Sequence, residues 1–182
     1  MDRNALLREL EAHQPFDETE SGMWLRLRKF VEDHADCFSR GLKVGHITGS
    51  AWIVDESREY ALLVYHKKLD KWLQPGGHCE DEDSVLETAW REATEETGIE
   101  SIRPLDSRIF DVDVHPIPAR GSEPGHLHYD VRYLFQADSR QKIIVSPESR
   151  AVEWLLMNQI LERSPHESIR RLVEKTKLRA SI

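Results

Sequence analysis

The stretch 77–99 constrains the fold of this chain more than any other part of its sequence. Residues from Ser84 to Thr97 predict a helix, because Ser84 and Glu87 have the spacing of a capping box. Gly98 follows directly, and glycine is the residue that most often ends a helix in the left-handed conformation. The sequence therefore predicts a short helix with a defined start and end, entered from a glycine-rich loop.

Three glutamates share one side of this predicted helix. Glu95 and Glu96 lie three and four residues after Glu92, a spacing that brings all three carboxylates together. Like charges at this spacing repel one another and cost helix stability. Arg91 can neutralise part of the charge, and a hard divalent cation such as Mg²⁺ can neutralise the rest. A backbone carbonyl at Gly77 could add one more oxygen ligand.

Strand patterns lie on both sides of the predicted helix. Two stretches after residue 45, HITGSAWIVD and YALLVYHKK, are rich in β-branched and aromatic residues. Longer strands are predicted over 107–117 and 126–137, and a shorter one over 152–155. Helices are predicted near both ends of the chain, so the expected fold class is mixed α/β (α+β). We expect a helical extension at 1–40 and one main domain at 41–182.

The spacing of 77–99 resembles the Nudix box of the Nudix hydrolases. That box runs Gly, five residues, Glu, seven residues, Arg-Glu, an apolar residue, any residue, Glu-Glu, any residue, Gly and an apolar residue. The chain fits this spacing without insertion, and Asp83 stands where the family usually has Glu. The resemblance implies the Nudix fold, an α/β/α sandwich around a mixed β-sheet.

The resemblance also implies which residues act. Glu92, Glu95 and Glu96 would bind Mg²⁺ or Mn²⁺, with a backbone carbonyl of Gly77 as a further ligand. Arg91 would hold one of these glutamates in position. The catalytic set would comprise Arg91 and a general base, for which the candidates are Glu96, Glu92 and a carboxylate on a later loop, Glu148.

A second polar group follows the alternation of the two long strands. Asp113 and His115 share one face of the first strand with Asp111, and His126, His128 and Arg132 share one face of the second. An antiparallel pair would bring these residues into one cluster. Three interpretations remain open: a substrate pocket, a solvated sheet face with His–Asp pairs, and an additional transition-metal site. We place the substrate-binding residues here.

Charge and composition limit the partners. A formal net charge of -8 argues against extensive, sequence-independent binding of nucleic acid, which needs a basic surface. No apolar run approaches the ~20 residues of a membrane span, and the two cysteines have no metal-ligand spacing. These features predict a cytoplasmic protein with a small-molecule partner, and the N-terminal helices leave a homodimer open.

The expected function follows from the resemblance. The leading hypothesis is a metal-dependent hydrolase that cleaves the diphosphate of a nucleoside diphosphate linked to another group, such as a nucleotide sugar or ADP-ribose. One alternative is hydrolysis of nucleoside triphosphates or dinucleoside polyphosphates. A second is a Nudix-fold sensor that binds a nucleotide without turnover.

Overall fold

The computed structural model describes residues 1–121 and 124–180 of the 182-residue chain. Its helices are α1 (Arg3–Ala12), α2 (Glu18–Asp33), α3 (Val85–Thr97), α4 (Ile160–Arg163) and α5 (Glu167–Ala180). Its strands are β1 (Gly45–Val54), β2 (Tyr60–His66), β3 (Lys71–Leu73), β4 (Gly76–His78), β5 (Arg103–Ile117), β6 (His126–Gln136) and β7 (Ser149–Leu156). Within these ranges, no helix is long and apolar enough to cross a membrane.

The described strands form one seven-stranded sheet. Its order is β3-β2-β1-β6-β5, with β4 paired to β1 and β7 paired to β2. β1 runs antiparallel to β2 and to β4. In contrast, the Leu127 N–H donates to the Val44 carbonyl and the Ala137 N–H donates to the Val54 carbonyl. The residue offset is the same in both pairs, which makes β1 and β6 parallel. The sheet is therefore mixed, and the predicted α+β class is confirmed.

The chain divides into two compact units. The first contains residues 1–50, 76–89 and 107–133, and the second contains 51–75, 90–106 and the described residues from 134 onward. Four elements, β1, α3, β5 and β6, therefore contribute residues to both units.

In the first unit, α1 and α2 bury the apolar positions that helical spacing predicted. Leu6 and Leu10 of α1 are buried, as are Leu27 and Phe30 of α2. The Phe30 ring stacks on that of Tyr129 in β6, with ring centroids 3.9 Å apart. The prediction of helices in the first 40 residues is confirmed, whereas a domain boundary at residue 40 stays a prediction.

A buried carboxylate that no local sequence pattern marks anchors the start of α2. Glu20 accepts hydrogen bonds from the backbone N–H of Phe16 at 2.6 Å and of Val112 at 3.2 Å. His13 Nε2 lies 3.0 Å from the Glu20 carboxylate. α2 begins at Glu18, because the Asp17 side chain caps it by accepting from the Glu20 N–H. The carboxylate thus ties the N-terminal helices to β5.

In the second unit, β2 pairs with β3 on one side and with β7 on the other. In α5, the apolar side chains Ile169, Leu172 and Val173 are buried. The buried Trp52 donates its indole N–H to Thr176 Oγ1 at 2.8 Å. The hydrogen bond satisfies the one polar group of a large core side chain.

Both predicted ends of α3 are present. Ser84 Oγ accepts from the Glu87 N–H at 3.2 Å, and Glu87 accepts from the Asp83 N–H at 2.9 Å. The return bond of the capping box therefore falls one residue earlier than in the usual form. At the other end, Gly98 has φ 66° and its N–H donates to the Thr94 carbonyl.

Replacing Gly98 by alanine is expected to lower the free energy of unfolding by about 1–3 kcal/mol. The left-handed conformation disfavours a Cβ atom, and an added Cβ would lie 2.5 Å from Ile144 Cβ. Chemical denaturation measures the change. Gly22→Ala in α2 is the control, since its Cβ would meet nothing within 4 Å. Gly22→Ala should raise the free energy of unfolding by about 0.5–1 kcal/mol. If both substitutions lowered the free energy of unfolding by similar amounts, the left-handed conformation and the contact with Ile144 would not explain the effect of Gly98→Ala.

Candidate functional site

Two of the three glutamates of α3 share one arginine in the second unit. Arg91 Nη1 donates to Glu92 Oε1 at 2.9 Å and to Glu95 Oε2 at 3.0 Å. The Glu95 side chain is 60% exposed, that of Glu92 is 17% exposed, and Glu96 is buried. The helix therefore offers carboxylates at three depths, which suits a ligand that approaches from solvent and is held below the surface.

The donor set fits a hard divalent cation. Carboxylate oxygens are the preferred protein ligands of Mg²⁺ and Mn²⁺, and three occur within two turns of one helix. Arg91 forms an ion pair with one carboxylate oxygen of Glu92 and one of Glu95, which restricts the rotamers of both glutamates. A carboxylate can offer either of its two oxygens to a cation. The predicted pairing of Arg91 with glutamates of this helix is thus present as geometry, while the roles of these side chains remain proposals.

Gly77 lies in the first unit, on β4. It pairs with Gly49 of β1, with Thr48 opposite His78 on one side and Ser50 opposite Gly76 on the other. A Cβ on Gly49 would lie 2.7 Å from the Val85 carbonyl oxygen, so this backbone passes very close to the first turn of α3. Gly49 is therefore needed for close packing, and metal ligation by the Gly77 carbonyl stays a prediction.

Glu148, the loop candidate for the general base, is exposed in a turn just before β7. Its backbone carbonyl accepts from the Lys67 N–H at 3.0 Å. Its charge opposes the lowering of the pKa of His66, which is caused mainly by burial. These contacts place Glu148 beside the end of β2, and its role as a base stays a prediction.

The polar residues of β5 and β6 meet as predicted, and their centre is a buried arginine. Arg132 donates to Asp130 at 2.8 Å, to Asp113 at 3.0 Å and to Asp111 at 3.2 Å. All four residues are at most 5% exposed. Burial alone lowers the pKa of Arg132, but the three carboxylates more than offset this, so its pKa is raised. Arg132 is therefore charged and fully engaged within the protein.

The burial of Arg132 and Asp113 bears on their predicted role in binding substrate. A substrate that bound Arg132 directly would have to displace three carboxylates. Asp113 is also occupied, since one of its oxygens lies 3.0 Å from Arg132 and 3.1 Å from His115 Nδ1. Of the predicted substrate-binding residues, His115, His126 and His128 are only half-buried. Arg132 and Asp113 are thus held by other side chains of the protein, and substrate binding by these five residues stays a prediction.

Five histidines cluster above this network in the first unit. Beside the three predicted ones stand His46 on β1 and His78 on β4. The His46 ring centroid lies 4.9 Å from that of His78, 4.9 Å from that of His128 and 5.0 Å from that of His126. His115 and His128 are 5.6 Å apart. Burial, and then the charges of the four other histidines, lower the pKa of His128 to about 2.

The sequence contained a signal for the two histidines that were not predicted. His46 alternates with Thr48 and Ser50 along β1, so all three share one face of the strand. Both hydroxyls donate to Asp130, at 2.9 and 2.7 Å. His78 stands directly opposite Thr48. The polar alternation was visible, but its partner strand was not, because pairing between distant strands is not encoded locally.

Comparison with known proteins agrees with these features. Residues 46–175 match the model of the NUDIX domain. The chain is 31% identical over 97 residues to a protein named probable DHNTP pyrophosphohydrolase of Lactococcus lactis subsp. cremoris (strain MG1363), covering 52% of this chain and 56% of that protein. It is 26% identical over 117 residues to the asymmetrical bis(5'-nucleosyl)-tetraphosphatase of Rattus norvegicus, covering 64% of this chain and 77% of that one.

A solved structure agrees in fold. The C. elegans Ap4A hydrolase in a binary complex superposes with a TM-score of 0.60 at 16% identity. The match covers 74% of this chain and 97% of that one. At this identity the likeness concerns the fold alone.

Proposed function

Because the chain belongs to the NUDIX domain family, we propose that it hydrolyses a phosphoanhydride bond of a nucleotide with the help of a divalent metal ion. The predicted family and fold are confirmed. The predicted enzyme class is confirmed at the level of a Nudix-type pyrophosphate hydrolase. The substrate, the metal and the residue roles are the proposal.

One observation carries the proposal: Arg91 holds Glu92 and Glu95 beside the buried Glu96 on a single helix. We assign the three glutamates as ligands of Mg²⁺ or Mn²⁺, and the Gly77 carbonyl as a further ligand. When bound, the ion supplies Lewis acidity that lowers the pKa of water and offsets charge on phosphate oxygens. Arg91 orients the carboxylates before substrate arrives, so less reorganisation is needed during the reaction.

A carboxylate must also take the proton of the attacking water. Glu96 is our first candidate, because it is the buried member of the three glutamates and is therefore shielded from bulk solvent. Glu92 is the second, and the exposed Glu148 is the third. A base is distinguished from a metal ligand by its effect on the pH dependence of kcat at saturating metal.

The substrate classes predicted from the sequence are both retained. The names of the two relatives refer to a triphosphate and to a tetraphosphate. They favour a nucleotide with a chain of phosphates at least as much as the nucleotide sugar or ADP-ribose of the leading hypothesis. We propose that the polar cluster of β5 and β6 binds the substrate, with His115, His126 and His128 in direct contact and Asp113 and Arg132 positioning them.

A turnover screen tests the proposal. The full chain is incubated with Mg²⁺ or Mn²⁺ and dihydroneopterin triphosphate, (d)NTPs, Ap4A, ADP-ribose or nucleotide sugars, and products are separated by anion-exchange chromatography. We expect cleavage of one class that stops when EDTA removes the metal. Tight nucleotide binding without any product would instead favour the sensor alternative.

We also propose a cellular location and an oligomeric state. We propose a cytoplasmic enzyme whose partner is a small nucleotide rather than nucleic acid. A homodimer stays a prediction, which light scattering of the purified chain checks.

A further inference from the structure

We propose that His46, His78 and His128 form a binding site for a divalent transition-metal ion such as Zn²⁺, separate from the glutamates of α3. Each histidine offers a ring nitrogen, and these nitrogens all lie within 4.8 Å of one another. In a tetrahedral zinc site with Zn–N bonds of about 2.0–2.1 Å, ligand nitrogens are about 3.3 Å apart. Small ring rotations therefore suffice to close the site around an ion.

Rigid elements present the three rings. His46 lies on β1, His78 on β4 and His128 on β6, and both β4 and β6 are neighbours of β1 in the sheet. The pairing of Thr48 with His78 fixes the register of β4. Ligands on paired strands keep their positions better than ligands on loops, so little order has to be gained when the ion binds.

A metal site and a phosphate pocket make different demands on these rings. Phosphate binding by histidines favours charged imidazolium rings, whereas a metal ion binds to neutral ring nitrogens and displaces their protons. Ring nitrogens of His46, His78 and His128 converge within 4.8 Å of one another, which matches the coordination of one ion.

The surroundings supply negative charge. Asp113 lies 3.1 Å from the Nδ1 atom of His115, whose ring contacts that of His128. Asp130 is linked through Thr48 to the strand position opposite His78. Three carboxylates against the single guanidinium of Arg132 leave more negative than positive charge in this network. Negative charge close to these rings favours the binding of a cation among them.

The ligand type selects the ion. Imidazole nitrogen suits Zn²⁺, Co²⁺, Ni²⁺ and Cu²⁺, whereas Mg²⁺ prefers oxygen. Three protein nitrogens leave a fourth tetrahedral position for water or another ligand, which is the pattern of open zinc sites. The inference concerns metal binding alone, so it does not depend on the hydrolase activity.

Titration of the metal-free full chain with Co²⁺ tests the site. With excess Mg²⁺ present to occupy the glutamates of α3, we expect one Co²⁺ per chain, visible absorption of four-coordinate intensity and displacement by Zn²⁺. His78→Ala and His46→Ala should each weaken binding at least about 100-fold, since even a supporting residue changes metal affinity by about 10–100-fold. His166→Ala, on the loop before α5, should leave binding unchanged.

Two further measurements keep the outcome clear. A Glu95→Gln/Glu96→Gln variant should retain the Co²⁺ spectrum, because the site uses none of its residues; loss of the spectrum there would overturn the proposal. In the wild-type chain, Zn²⁺ should shift the imidazole ¹⁵N resonances of the three ligands, which needs no variant to fold. If inorganic phosphate shifted these ¹⁵N resonances and Zn²⁺ did not, the histidines would form an anion-binding pocket and the proposed metal site would be wrong.

Discussion

A Glu95→Gln/Glu96→Gln double variant is expected to lose metal-dependent hydrolysis by at least about 1,000-fold in kcat. A bound metal ion contributes several kcal/mol to a phosphoryl-transfer transition state, and each 1.36 kcal/mol is a factor of ten in rate. Glutamine keeps the shape of the side chain but not its charge, so the variant removes two of the three proposed anionic ligands. Product release at saturating Mg²⁺, with the substrate found in the turnover screen, measures the loss.

The stability of the double variant shows whether its loss of hydrolysis comes from the missing carboxylates or from unfolding. The wild-type helix carries like charges three and four residues apart, which repel by a few tenths of a kcal/mol per pair. The double variant should therefore be as stable as the parent chain in metal-free buffer, or slightly more stable. Glu100→Gln, exposed just beyond α3, is the matched control and should keep full activity. Hydrolysis in the double variant within tenfold of the parent rate would remove α3 from the proposed mechanism.

Local features of the fold were predictable from the sequence. α3 was predicted because its cap at Ser84, its end at Gly98 and its glutamate spacing all lie within one short segment. The faces of β5 and β6 were predictable for the same reason, since strand alternation is local and the loop between them is short. Grouping of Asp113, His115, His128 and Arg132 followed from that alternation.

Other features depend on contacts between distant segments. His46 and His78 join the cluster only because β1 pairs with β4 and lies beside β6. Glu20 meets the Val112 N–H across 92 residues of sequence, and no local pattern marks it as buried. The role of Arg132 was also hidden, because alternation gives the face of a strand but not whether that face is open to solvent.

Arg132→Met is expected to lower the free energy of unfolding by about 3–5 kcal/mol, the usual cost of breaking a buried ion pair by removing one partner. Methionine fills much of the same volume, so the main loss is electrostatic. Asp111, Asp113 and Asp130 would be left close together without their shared guanidinium, in a region that is at most 5% exposed. Urea denaturation followed by far-UV circular dichroism measures the change.

The origin of this loss is tested by a double-mutant cycle with Asp111→Asn. In the parent chain that change removes a partner of Arg132 and should destabilise. In the Arg132→Met background it removes a repelling charge, so it should cost less or even stabilise, with a coupling energy of about 0.5–3 kcal/mol. Arg8→Met is the control, because its side chain is 69% exposed beside Asp2, and exposed pairs contribute about 0–1 kcal/mol. Additive effects of the two substitutions would show that Arg132 acts by packing and not by neutralising the carboxylates. Neutralisation by Arg132 would then no longer explain how Asp111, Asp113 and Asp130 can be buried together on β5 and β6.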